Sequence, residues 1–160
     1  MKRVLATIIM ISAGLLTLIN TQKVLMLGFP KPFAEVVYAE AEKYQIDELL
    51  IYSVMRAESK YDENAVSYAG AKGLMQITDD TFDMISRNTD VGNDVFDPET
   101  NIKAAVWYLD YLYTLLEDID STIRAYNCGI NNLNRKIAQT EIFRHRVLEF
   151  YEIYRTVYLN

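Results

Sequence analysis

Behind Asp97-Pro98, apolar side chains recur at Ile102, Ala105, Val106, Leu109, Leu112 and Leu116, the three-and-four spacing that gathers them on one stripe of an α-helix. The aspartate is a natural N-cap and the proline a first-turn residue, so the start of that helix is written locally. Nowhere does the chain sustain the apolar-polar alternation between turn signals that a half-buried strand requires. The expected fold class is therefore all-α, or α with at most a minor hairpin. Residues 33–44 read as a first helix, and Asp47 as the N-cap of ELLIYSVMRAES. DENAVSYAGAKG, broken by Gly70 and Gly73, reads as a loop. GLMQI then leads into a helix from Asp79 or Asp80. NTDVGNDVF is a longer loop, another helix starts near Ser121 and stops at Gly129, and final helices are expected over 131–138 and 141–158.

The N-terminus follows other rules. Lys2 and Arg3 precede VLATIIMISAGLLTLI, residues 4–19, which carries no charge. Sixteen residues fall short of the roughly 20 that cross a bilayer untilted, but VLMLGF resumes the apolar character at 24–29. A buried core helix is the weaker reading, because the run has no polar face. No small-residue cleavage pattern follows it, so it is read as an uncleaved membrane anchor in preference to a cleaved signal peptide. Basic residues ahead of it place the remainder outside the cytoplasm, anchored or secreted to the cell wall. FPKPF, residues 29–33, is the linker, dividing residues 1–29 from a domain over 30–160.

Setting aside residues 1–29 removes three of the sixteen basic side chains and none of the twenty-two acidic ones, leaving a net charge of −9. Such a domain is a poor partner for nucleic acid or anionic headgroups. Cys128 is the single cysteine, read as a small buried residue; a nucleophile is disfavoured because the single histidine, His145, lies in a charged helical stretch. No cluster of His, Cys and carboxylates has metal-ligand spacing, so neither metal nor cofactor is expected.

One carboxylate is out of place. Advancing about 100° per residue from Leu50 puts Glu58 near 80°, between Val54 and Ile51, while Arg56 and Lys60 fall on the opposite side near 240° and 280°. A carboxylate in an apolar stripe costs several kcal/mol unless it is paired or protonated. Helix geometry alone leaves two readings, a structural ion pair or a proton donor with a raised pKa.

Four stretches bear on the choice: AES around Glu58, SYAGAKGLMQI from Ser67 to Ile77, DPETNIKAAVWYL from Asp97 to Leu109, and AYNCG from Ala125 to Gly129. In this order and at these separations they resemble the catalytic domain of the lytic transglycosylases, murein lyases related in fold to goose-type lysozyme. The resemblance runs from about Phe29 to the end of the chain. It implies a lysozyme-like helical domain acting on peptidoglycan glycan strands, with Glu58 as the one catalytic acid. Most glycosidases pair such an acid with a second carboxylate. Here Asp62, Glu63, Asp79, Asp80 and Asp97 all fall in loops or at helix starts, where capping and solvation account for them. The family also lacks a second carboxylate. Its lysis proceeds without water: the muramoyl 6-hydroxyl attacks within its own sugar and gives a 1,6-anhydro product.

By the same resemblance Ser59 orients the acid or the substrate, although a serine there could equally cap the helix end. Ser67, Gly70 and Ala71 match the loop that lets a glycan approach the backbone, and Gln76 matches the glutamine of the sugar groove. Tyr126 and Asn127 match the AYN stretch, with the tyrosine hydroxyl expected near the catalytic carboxyl. Asn101 is read as chiefly structural. Thr78 stands where many relatives carry methionine, a change in one groove wall, and Phe143 stands where many have a groove tyrosine. The other readings are a hydrolytic muramidase of the same fold and a non-catalytic glycan-binding component of a wall-spanning complex.

Overall fold

The computed structural model of the protein describes residues 10–12, 21, 23–134 and 137–159. The segment read as an anchor, residues 4–19, lies outside the described residues apart from 10–12. Among the described residues no helix is long and apolar enough to cross a membrane. The chain divides into two compact units, a larger one over Lys31–Glu152 and a smaller one that joins the described residues up to Pro30 with those from Ile153 onward. In the smaller unit, residues 23–28 are helical. There the Phe29 and Tyr154 rings meet edge to face at 5.4 Å. The Tyr154 hydroxyl donates to the Pro30 carbonyl at 2.9 Å, and that of Tyr158 to the Phe29 carbonyl at 2.8 Å.

The larger unit is helical, as the missing alternation requires. Its elements are α1 (Ala34–Tyr44), α2 (Glu48–Glu58), α3 (Asp79–Asn88), α4 (Pro98–Leu116), α5 (Ile119–Cys128), a 3-10 turn at Ile130–Asn132, and α6 (Ile137–Tyr158), which runs on into the smaller unit. Helix α4 packs on α1, α3 and α5, and α1 packs on α2. Helix starts follow the capping chemistry. Asp47 accepts from the Leu49 amide at 2.8 Å, Asp97 from Thr100 at 2.8 Å with Pro98 in the first turn, and Asp118 from Ser121 at 2.8 Å. Two helices expected over 131–138 and 141–158 are instead the 3-10 turn and one continuous helix from Ile137.

Helix α2 is not the amphipathic helix that its charges suggest. Every residue from Leu49 to Met55 is buried, so the helix runs through the core with no solvent face. Burying Leu49, Leu50, Ile51, Val54 and Met55 contributes roughly 10 kcal/mol before the conformational entropy of ordering them is subtracted. Ser53, inside that run, satisfies its hydroxyl on the Leu49 carbonyl at 2.6 Å. Arg56, placed by the wheel on a polar side, is half-buried between the rings of Phe150 and Tyr61, its guanidinium carbon 5.1 and 5.8 Å from their centroids.

Candidate active site

Helix α2 ends at Glu58, and its last residue reaches a cleft of about 350 Å³. The cleft is lined by Glu58, by Ser67, Ala69, Ala71, Gln76, Ile77, Thr78 and Thr81 from the loop and the start of α3, by Tyr108 from α4, and by Tyr126, Asn127, Cys128 and Gly129 from the end of α5. Three segments far apart in the chain thus meet at one carboxyl group. Among the described lining residues Glu58 is the single acid. Asp62 is occupied by the Asn64 amide at 2.9 Å, Asp79 by the Lys72 ammonium at 2.6 Å, and Asp97 by its cap. None of these, nor Glu63 or Asp80, lines the cleft. Among the described residues no group of three or more His, Cys, Asp or Glu could hold a metal ion.

Glu58 is ringed by protein atoms while an edge stays accessible from the cleft, so it is desolvated without being sealed. Burial pushes its carboxyl from the ordinary 4.5 up to about 8; the positive field of Arg146 opposes that rise and does not overcome it. No salt bridge or hydrogen bond to a described residue holds the carboxylate. At neutral pH the group is therefore mostly protonated.

The GLMQ loop is shaped by one buried amide. Asn101, in the second turn of α4 and fully buried, accepts from the Met75 amide at 2.7 Å and donates to the carbonyls of Val95 at 2.7 Å and Lys72 at 3.0 Å. Gly73 makes room for it: at φ +75°, a Cβ here would stand 2.5 Å from the Asn101 amide nitrogen. Lys72 exchanges both backbone hydrogen bonds with Ile77, at 2.9 and 3.0 Å, and this pairing, with a bridge from Val66 to Lys72, is the extent of the minor hairpin. Held this way, the Met75 carbonyl accepts the Tyr126 hydroxyl at 2.8 Å. Burial, and then the charge of Glu58, push the Tyr126 phenol well above its ordinary pKa, so it stays a neutral donor.

The remaining sequence-expected residues fall into distinct places. Gln76 lines the cleft at φ +53° and spends both amide hydrogens on the carbonyls of Gly73 at 2.9 Å and Ala65 at 3.1 Å. That leaves its carbonyl oxygen as an acceptor with no described donor on it. Ser67 lines the cleft and closes the Ser67–Ala71 turn, its hydroxyl accepting from the Ala71 amide at 3.0 Å. Ala71 lines the cleft too, whereas Gly70 supplies the turn at φ +81° from outside the lining. Asn127 is exposed in the cleft wall. Ser59 is outside the lining; its hydroxyl accepts from the Tyr61 amide at 3.0 Å and bonds the Met55 carbonyl at 3.4 Å, at the end of α2. Phe143 is buried in α6 away from the cleft.

Sequence reasoning missed Tyr108, which lines the cleft and meets the Tyr126 ring at 5.7 Å. Its signal was available in the DPETNIKAAVWYL stretch, which carried the resemblance without Tyr108 being assigned to the site. Cys128, read as a small buried residue, is instead half-buried and lines the cleft at the end of α5, its thiol donating to the Gly129 carbonyl at 3.3 Å. Thr78 does form part of a wall, and it also caps α3 through Thr81.

Residues 35–148 match the model of the family described as "Transglycosylase SLT domain". Two curated relatives are named membrane-bound lytic murein transglycosylase C. That of Mannheimia succiniciproducens is 34% identical over 113 residues, covering 62% of this chain and 32% of that protein. That of Photorhabdus laumondii is 37% identical over 107 residues, covering 58% and 30%. The chain spans about a third of the length of these relatives. Among solved structures, an inactive glutamate-to-glutamine variant of the lytic transglycosylase Slt of Pseudomonas aeruginosa superposes with a TM-score of 0.75 at 21% identity, over 82% of this chain and 25% of that one. The 70-kDa soluble lytic transglycosylase in complex with bulgecin A gives 0.75 at 23% identity over the same shares. These two likenesses establish a shared fold.

Proposed function

The chain belongs to the transglycosylase SLT domain family, and on that footing we propose that it is a peptidoglycan lytic transglycosylase whose catalytic domain begins at residue 30. It cleaves the β-1,4 bond between N-acetylmuramic acid and N-acetylglucosamine. The observation that carries this reading is Glu58, an acid with a raised pKa in a cleft with no second carboxylate among its described lining residues.

The chemistry follows from that arrangement. The Glu58 carboxyl gives its proton to the glycosidic oxygen, and the bond from that oxygen to the muramoyl anomeric carbon breaks, releasing the N-acetylglucosamine 4-hydroxyl. The muramoyl 6-hydroxyl oxygen then bonds the anomeric carbon. Its proton passes to the Glu58 carboxylate, which is ready for another turn. One group serves as acid and then as base, and no water enters. A raised pKa suits both halves, since the group holds a proton at neutral pH and takes it back readily. Tyr126, donating to Met75, keeps a neutral hydroxyl oxygen beside the acid. Gln76 offers an acceptor, and Asn127 an exposed amide, to the sugar hydroxyl and acetamido groups. Ser67, Gly70 and Ala71 keep that wall low so the strand can approach the backbone, and Ser59 fixes the end of α2 on which Glu58 is presented.

The inactive glutamate-to-glutamine variant of the Pseudomonas aeruginosa relative supports a role for a glutamate in this fold. The membrane-bound names of the curated relatives support placing the domain outside the cytoplasm, held by its N-terminal apolar segment. Mass spectrometry of digested peptidoglycan tests the reaction. Muramoyl ends one water lighter than a reducing sugar are expected. Reducing-end muramic acid would make the protein a hydrolase, and intact strands with bound protein would make it a glycan-binding component.

A further inference from the structure

The wall of the cleft at Tyr108 does not stop at the cleft. On α4 the Tyr111 ring lies nearly parallel to that of Tyr108, 16° between planes and 6.3 Å between centroids, and Trp107 lies 8° from Tyr111 at 5.4 Å. Residues 107, 108 and 111 cover about 100° of the helix circumference, beside the stripe that Ala105, Leu109 and Leu112 bury. Tyr111 is 37% exposed and Trp107 is half-buried, so a row of three aligned aromatic side chains leads from the cleft onto the open surface.

We infer that Trp107 and Tyr111 form an outer sugar-binding site, taking a pyranose ring of the same glycan strand beyond the residues held at Glu58. The inference rests on the reading of the cleft as a glycan site, and it adds a subsite outside the cleft lining. Continuity selects the occupant. A polysaccharide cleaved at Glu58 must leave the cleft along one of its walls, and the Tyr108 wall continues as aromatic surface. The axial C–H faces of pyranoses are apolar and pack on such rings, while their equatorial hydroxyls remain in water. Packing within the helix accounts for the spacing of the three residues. It does not account for the row meeting the cleft at one end and solvent at the other.

Trp107 is the single tryptophan of the chain, so emission excited at wavelengths that tyrosine does not absorb reports on this site. Soluble β-1,4-linked N-acetylglucosamine oligomers of increasing length are titrated into the full chain, with calorimetry in parallel. Trp107 emission is expected to change saturably with long oligomers and not with the shortest. Tyr111→Ala should weaken long-oligomer binding, and raise KM on peptidoglycan, by about 3- to 10-fold with kcat within about twofold. Tyr113→Ala, on the other side of α4 and 50% exposed, should change neither. Trp107→Phe, which keeps a ring, should bind more tightly than Trp107→Ala. Oligomers that bind with unchanged Trp107 emission and equal affinity for Tyr111→Ala overturn this inference and leave the cleft reading intact. Absence of any oligomer or peptidoglycan binding by the wild-type chain overturns both.

Discussion

Glu40 lies on the inner side of α1, 6% exposed, with the Lys43 ammonium 3.2 Å from its carboxylate, whereas Glu58 closes α2 with no ion pair to a described residue. Both carboxyl groups have left bulk water. Glu40 has a cation one helical turn away, an ion pair that offsets part of the cost of burying a carboxylate. For Glu58 the positive field of Arg146 is outweighed by burial, so the proton is kept. The two alternatives that helix geometry left open for one buried glutamate are thus both present in this molecule, at two sites. The difference teaches that burial alone does not make an acid catalytic; burial with no cation in contact among the described residues is what holds the proton on Glu58.

The comparison breaks most directly at the carboxyls themselves. Glu58→Gln is expected to lower turnover of purified peptidoglycan by about 10³-fold while glycan binding and the circular dichroism spectrum persist. Glu40→Gln is expected to leave turnover within about twofold. Equal losses in both variants would erase the distinction.

A smaller effect concerns stability, and its sign is opposite to that on activity. The unfolded Glu58 carboxyl ionises near its ordinary 4.5 and the folded one only near 8. The contribution of Glu58 to folding stability is therefore undiminished below about pH 4.5, declines as pH rises toward 8, and is flat above. Glu58→Gln escapes that decline. Discounted for the part of Glu58 that water reaches, its stabilisation at pH 9 is on the order of 2 to 3 kcal/mol, with little at pH 4. Denaturant melts of both proteins at the two pH values measure it.

Tyr126→Phe sharpens the account of how the acid is flanked. It removes the donor to the Met75 carbonyl and leaves that buried oxygen unsatisfied, which costs about 1 to 3 kcal/mol. Turnover is expected to fall by about 10-fold, against no loss if the ring alone matters. Glu40→Gln, whose partner Lys43 is largely exposed, should cost about 1 kcal/mol or less. The smallest effect belongs to Arg146→Gln. Removing a positive charge raises the Glu58 pKa, so the alkaline limb of the activity profile should move to higher pH, less in high salt.

Much of this was legible in local sequence. Asp47, Asp97-Pro98 and the apolar period fixed helix starts because capping and burial act within a turn or two. The wheel put Glu58 on the side of Ile51 and Val54, but for a helix imagined with a solvent face; from Leu49 to Met55 α2 has none, and Arg56 lies near rings that only the fold supplies. What could not be read is tertiary. Tyr126 finds Met75 across 51 positions and Asn101 finds Met75 across 26, and neither pairing leaves a periodic trace. The commitment of both Gln76 amide hydrogens to backbone, and the exposure of Cys128 in the cleft wall, depend on where loops cross.

The proton on Glu58 can be observed directly. Carbon-13 NMR of side-chain carboxyls, with the Glu58 signal assigned by its absence in Glu58→Gln, gives its titration from pH 3 to 10. A midpoint near 8, far above the exposed glutamates, is the expected result. A midpoint near 4.5 would mean that the group is ionised at neutral pH, and a single-acid mechanism at this cleft could not stand.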